Sequence, residues 1–134
     1  MKELFDVHCH MVPGVDDGAA DLEESLAMLK MQHEDGVRKI IITPHYRRRM
    51  FETPAKKVHE QFLKLQEAAK KEYPDMSLYL GCELHSNMDL QDILEKRKYV
   101  TMAGSSYVLL EFSEGDSAQH IRERVYNVLS CGYE

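Results

Sequence analysis

Apolar and polar positions along this chain fall into alternating blocks. Four short apolar runs, LFDVHCH (4–10), RKIIITPHY (38–46), SLYLGCELH (77–85) and SYVLLEFSE (106–114), are each followed by a longer stretch with helical spacing. The second run is a continuous β-branched stretch of the kind buried on both faces of a parallel sheet. In DLEESLAMLKMQHEDG (21–36), Leu22, Leu26 and Leu29 recur at i, i+4 and i+7. Asp21 with Glu24 three residues on has capping-box spacing, and Gly36 suits the C′ position.

TPAKKVHEQFLKLQEAAKKEY (53–73) predicts a second helix, with Thr53 as N-cap, Pro54 at the first helical position and Val58, Phe62, Leu65 and Ala69 on one face. A shorter helix is expected around DLQDILEKRK. A fourth is expected over SAQHIRERVYNVLSCG, with Ile121, Val125 and Leu129 inward and Gly132 as its stop. Strand–helix repeated four times implies right-handed crossovers and one parallel sheet, an α/β architecture of four β/α units. No linker or low-complexity segment divides the chain, so residues 1–134 read as one domain.

Composition changes this picture little. A chain of 134 residues with 43% hydrophobic and 30% charged residues reads as an ordinary globular domain. Its formal charge of −6 argues against nucleic acid as the main partner and makes a local basic cluster more informative. No apolar run approaches a membrane span, and the N-terminus has no signal-peptide pattern, so a cytoplasmic location is expected. Cys9, Cys82 and Cys131 are odd in number and far apart, which suits reduced thiols better than a disulfide framework. None opens a C-x5-R phosphate loop.

The candidate chemistry lies where the strands end. In parallel α/β folds, functional groups collect at the carboxyl ends of strands. Here every predicted strand ends in a possible metal ligand: His8 and His10, then His45, then Glu83, then Glu111. A two-residue period puts His8 and His10 on one side of their strand, and Asp16 and Asp17 follow in the next loop. An isolated H-x-H is equally a polar turn with incidental histidines, and each Glu could mark an exit to solvent. Four strand ends in register favour a site, and imidazoles mixed with carboxylates suit Mn, Fe, Co or Zn better than Ca or Mg. His33, His59 and His120 read as solvated helix-surface groups. His85 shares the face of Glu83 and could line a pocket, but is not taken as a ligand. Arg47, Arg48 and Arg49 follow His45 at once, and arginine forks match phosphate geometry.

Together DVHCHMVPGVDDGA, TPHYRRRMFETP, GCEL and VLLEFS resemble the polymerase and histidinol phosphatase (PHP) superfamily, and within it the capsular-polysaccharide tyrosine-protein phosphatases of the CpsB/CapC type. The resemblance runs along essentially the whole chain. It implies the N-terminal part of a distorted seven-stranded β/α barrel holding up to three divalent ions, commonly Mn2+. By motif, His8 and His10 would bind one ion, Glu83 would bridge it to a second that Glu111 also holds, and Asp17 with His45 would hold the third. The resemblance favours Asp17 over Asp16 and offers no fixed ligand at His85.

The implied function is metal-dependent hydrolysis of phosphotyrosine on proteins, with a bacterial tyrosine kinase tail that regulates capsular or exopolysaccharide synthesis as substrate and Arg47 to Arg49 binding phosphate. The family pattern continues beyond CGYE with a ligand histidine and an Asp-x-His pair, so each ion would lack one partner here. The expectation is therefore a chain that is weakly active or inactive alone and self-associates to cover exposed strand edges. A catalytically impaired fragment with partial metal binding is the alternative. Another PHP phosphoesterase such as histidinol phosphatase fits HYRRRMFETP less well.

Overall fold

The structure, a computed structural model, describes residues 2–134. It contains six short strands and four α-helices: β1 (Leu4–Asp6), α1 (Leu22–Glu34), β2 (Val37–Ile42), β3 (His45–Tyr46), α2 (Ala55–Glu72), β4 (Ser77–Leu80), β5 (Glu83–His85), α3 (Leu90–Lys96), β6 (Leu109–Glu111) and α4 (Ala118–Ser130). A 3-10 turn, Met102–Gly104, precedes β6. Every strand pairing is parallel, as the alternation predicts.

The expected single four-stranded sheet is replaced by two three-stranded sheets, ordered β1-β2-β4 and β3-β5-β6. The second and third apolar runs each pass through both sheets, breaking at Thr43–Pro44 and Gly81–Cys82. Pro44 has no N–H to give to a ladder, yet the two runs stay together across the break. Gly81 N–H donates to Ile42 O (2.8 Å) and Glu83 N–H to Pro44 O (3.0 Å). β1 flanks the first half of this double run and β6 the second.

The first strand is also shorter than expected. It stops at Asp6, and His8 to His10 leave it in irregular backbone, tied to the second run by Thr43 N–H donating to Cys9 O (2.8 Å).

Local chemistry explains the helices. Asp21 Oδ1 accepts from Glu24 N–H (2.9 Å) and the Glu24 carboxylate accepts from Ala20 N–H (2.8 Å), a capping box displaced by one residue on its return bond. Gly36 follows the helix at φ +90°, a conformation that favours glycine. α2 begins one residue later than the sequence suggests: Pro54 is the N-cap, and the Thr53 hydroxyl instead donates to Val15 O (2.8 Å), fastening the loop after β1. Val58, Phe62, Leu65 and Ala69 face inward as the periodicity requires.

One core, including Met11, Leu29, Ile40, Ile42, Leu65 and Leu78, lies between the first sheet and α1 and α2. A second, including Cys82, Leu84, Leu90, Leu94, Val100 and Val128, lies under α3 and α4.

α4 corrects its predicted face. Ile121, Val125 and Leu129 are 37–55% exposed, and Val128 is the one fully buried residue of the helix among those described. The helix rests on the stripe His120, Arg124, Asn127 and Val128. Apolar spacing picked the other stripe because it carries more hydrophobic side chains, whereas the contact with α3 and the second sheet is made by the mixed one.

Candidate metal centre

The fold brings the predicted donors to one place. Glu83, first residue of β5, is 9% exposed, and its Oε2 stands 3.0 Å from His8 Nε2, 3.0 Å from His10 Nε2 and 3.3 Å from His45 Nδ1. The two nitrogens of the H-x-H pair are 3.3 Å apart. His45, first residue of β3, is offered to carboxylates from both ring nitrogens: Nδ1 lies 3.5 Å from Glu111 Oε2, and Nε2 lies 3.5 Å from Asp17 Oδ1. The imidazoles of His10 and His45 stack with centroids 4.3 Å apart, and Phe51 stacks on the far side of His45 at 5.0 Å.

Three sets of donors thus converge within 4.8 Å: His8, His10 and Glu83; His10, Asp17 and His45; His45, Glu83 and Glu111. All six residues singled out as metal ligands fall in them. His45 Nδ1 and Glu111 Oε2 are buried and have no hydrogen-bond partner. Leaving such atoms unsatisfied costs roughly 1–3 kcal/mol each, and several lone-pair atoms facing one another at 3.0–3.5 Å need a proton or a cation between them. Imidazole nitrogen with carboxylate oxygen is the donor mix of a transition-metal divalent ion, so the residues fit such ions.

The two adjacent aspartates separate cleanly. Asp17 is exposed, with its side chain 61% accessible and free to reach a ligand beside His45. Asp16 is turned inward with its side chain 1% accessible, and it accepts from Gly18 N–H (3.0 Å), from His45 N–H (2.9 Å) and at His10 Nδ1 (3.0 Å). Burial works against the Asp16 carboxylate, but the hydrogen bonds from His10, His45 and Gly18 outweigh it and hold it below the usual range. The same bond from Asp16 holds the His10 imidazole above its usual value. Burial, with Asp6 and Asp16 nearby, keeps the Cys9 thiol protonated, and burial pushes the Cys82 thiol up to about 12. Neither behaves as a nucleophile at neutral pH.

Of the triple-arginine run, only Arg47 reaches the centre, its guanidinium 3.8 Å from Glu111 Oε1. The chain reverses at once through a tight turn in which Arg47 and Phe51 exchange backbone hydrogen bonds (2.8 and 2.9 Å), leaving Arg48 and Arg49 exposed. Sequence reasoning missed Phe51 as part of the centre and set Asp16 aside in favour of Asp17. Gly18 was also missed as the residue whose missing side chain lets the aspartate loop lie on His10.

The remaining histidines are not free surface groups. His33 pairs with Asp75 (3.0 Å), His59 stacks on Tyr99 (4.3 Å), and His120 reaches Ser86 Oγ (3.3 Å). His85 is buried, with Nδ1 accepting from Asn87 N–H (3.1 Å) and Nε2 beside Ser113 Oγ (3.1 Å), so its ring atoms are occupied away from the donor sets. A cavity of about 570 Å³ lies apart from the centre, between α2 and α3 and lined by Tyr46, His59, Arg97 and Tyr99 among others.

Histidine and carboxylate donors gathered where the first three-stranded sheet gives way to the second, on a parallel α/β scaffold, form an arrangement that fits divalent metal. The chain belongs to the CpsB/CapC family of capsular polysaccharide synthesis, whose model matches residues 4–134. It is 40% identical over 129 residues to the tyrosine-protein phosphatase CpsB of Streptococcus pneumoniae, covering 96% of this chain and 53% of that protein. It is 28% identical over 130 residues to the tyrosine-protein phosphatase YwqE of Bacillus subtilis, covering 97% and 51%. The solved structures of YwqE and CpsB, described as unique metal-dependent tyrosine phosphatases, include a chain that superposes with a TM-score of 0.85 at 28% identity, over 97% of this chain and 53% of that one. The chain therefore spans about half the length of the curated relatives it matches.

Proposed function

We propose that this chain carries the metal-binding half of a metal-dependent phosphatase acting on phosphotyrosine in proteins, with His8, His10, Asp17, His45, Glu83 and Glu111 as ligands. The observation that carries the reading is the position of Glu83 Oε2, 3.0–3.3 Å from nitrogens of His8, His10 and His45, beside the orphaned His45 Nδ1 and Glu111 Oε2. Up to three ions fit the three donor sets, and manganese suits their chemistry, with Fe, Co or Zn able to replace it.

Divalent ions in such a site supply charge neutralisation at the phosphoryl oxygens and a water made acidic enough to attack at neutral pH. The chain's own residues do the rest. Glu83 with His8, His10 and His45 fixes the geometry from three separate backbone segments. Phe51 packs one face of His45 and keeps its ring in place. Arg47 stands beside Glu111 at the rim, placed to bind a phosphate oxygen, while Arg48 and Arg49 act on the approaching anion through longer-range charge. A tyrosine leaving group has a pKa of about 10, so it needs less proton donation than an alkyl ester. That suits a centre whose carboxylates are committed to metal.

The physiological substrate on this reading is a phosphorylated bacterial tyrosine kinase tail, met in the cytoplasm. No helix among the described residues is long and apolar enough to cross a membrane. β1 and the residue that follows it leave Leu4, Phe5 and Val7 50–60% exposed at a sheet edge, which supports self-association of this chain.

A second reading, partial metal binding with little turnover, is favoured by one observation. Each donor set supplies three protein atoms, which leaves coordination positions of each ion unfilled by this chain. Metal analysis after purification in Mn2+ distinguishes the readings when paired with a phosphotyrosine-peptide assay. Metal retained by the wild type and lost in H8A/H10A, with chelator-sensitive turnover, is expected for the phosphatase. Metal without turnover leaves the second reading, and equal metal content in both proteins refutes the ligand assignment.

A further inference from the structure

Asp16 stands outside all three donor sets although its carboxylate is the most enclosed in the centre, with a side chain 1% accessible. Each of its two oxygens accepts from a backbone amide, a group that can only donate. Oδ1 accepts from the Gly18 amide at 3.0 Å and Oδ2 from the His45 amide at 2.9 Å. A carboxylate taking two backbone N–H bonds is acting as acceptor throughout, so its third contact, His10 Nδ1 at 3.0 Å, requires the hydrogen to be on the imidazole. An imidazole with Nδ1–H has its lone pair on Nε2. In this structure Nε2 of His10 faces His8 Nε2 at 3.3 Å and Glu83 Oε2 at 3.0 Å, the middle of the first donor set.

We propose that Asp16 is a positioning residue: it fixes His10 in the Nδ1–H form, with Nε2 aimed into the centre, and through the His45 amide it sets the start of β3 at the same time. The proposal rests on the metal reading above. One carboxylate thereby orients donors from two different backbone segments, which explains why the loop offers two aspartates in succession. Asp17 reaches outward as a donor, and Asp16 reaches inward to hold donors in place. Carboxylates behind ligating histidines act in this way generally, and their loss costs about 10- to 100-fold in metal affinity or activity.

The competing possibility is that Asp16 only ties down its loop, since bonds to Gly18 and His45 would do that with any His10 tautomer. Glu83 competes for the same proton from the other side of the ring, so the tautomer discriminates. The 15N-labelled 134-residue chain, freed of metal and brought to alkaline pH until the His10 ring 15N shifts stop changing, is expected to show His10 as Nδ1–H in long-range 1H–15N spectra. An Nε2–H form there overturns the proposal, and this measurement needs no variant that could misfold.

Mn2+ titration of the wild type, Asp16→Asn and His10→Ala then completes the test. Binding weakened about tenfold or more in Asp16→Asn, and in His10→Ala, supports the proposal. Wild-type affinity in Asp16→Asn with loss in His10→Ala overturns it and leaves the metal reading intact. Wild-type affinity in both variants removes the metal reading, and the positioning role falls with it.

Discussion

Gly18→Ala tests how the aspartate loop is held against His10. A Cβ at Gly18 would stand 2.0 Å from His10 O, 2.6 Å from His10 Cβ and 2.8 Å from the His10 carbonyl carbon. Two of these three atoms are backbone, so no rotamer change relieves the overlap. Ordinary contact begins at 3.4 Å, so the loop must retreat by about 1.4 Å. Two bonds cross that gap, Ala19 N–H to His10 O at 3.0 Å and His10 Nδ1 to Asp16 Oδ2 at 3.0 Å, and such a retreat breaks both.

A neutral bond contributes roughly 0.5–1.5 kcal/mol and one to a charged group roughly 1.5–3, so the expected loss is about 2–4.5 kcal/mol. For a domain of this size that lowers Tm by about 10 °C. Gly115→Ala is the matched control, because a Cβ there meets nothing within 4 Å and φ is not positive. It should be neutral or slightly stabilising. Thermal melts and Mn2+ titrations of both variants decide the matter. A Gly18→Ala protein that melts with the control and binds metal like the wild type would show that the loop does not depend on this close approach.

Three other expectations follow from particular contacts. Arg47→Ala should raise KM for a phosphotyrosine peptide about tenfold while Arg48→Ala and Arg49→Ala change it less than threefold, because only Arg47 stands beside Glu111; equal effects at all three would return the loop to long-range steering alone. On α4, Val128→Ala should cost about 2 kcal/mol in urea unfolding, as a buried branched side chain is removed, and Leu129→Ala less than about 0.5; the reverse order would restore the face expected from spacing. The Asp75 carboxylate is held below its ordinary value by His33 and then by Arg38, so its stabilising contribution is present above the unfolded value of 3.8 and lost as pH falls through the lower folded one. Asp75→Asn should therefore lower Tm slightly near pH 6 and not at all in strong acid, and a deficit that persists in acid would point to another cause.

Much of this protein follows from order along the chain. Strand–helix alternation requires parallel pairing, the Val58/Phe62/Leu65/Ala69 stripe names the buried face of α2, and a donor toward the end of every apolar run marks the candidate metal site. These are consequences of period and position, which one sequence displays in full. The family motifs lie in the same residues, which is why the chemistry could be expected before any contact was known.

What depended on the tertiary structure is everything settled between segments far apart in sequence. The sheet divides in two where a break at Thr43–Pro44 lies against another at Gly81–Cys82, and neither run predicts its neighbour's break. The buried stripe of α4 was decided by the surface offered to it, so the more apolar stripe lost to the mixed one around Val128. The parts played by Asp16 and Asp17 look interchangeable in sequence. They are separated by the backbone amides of Gly18 and His45, which capture the first carboxylate and leave the second free, because a buried carboxylate must accept hydrogen bonds and those two donors lie within reach of only one of them.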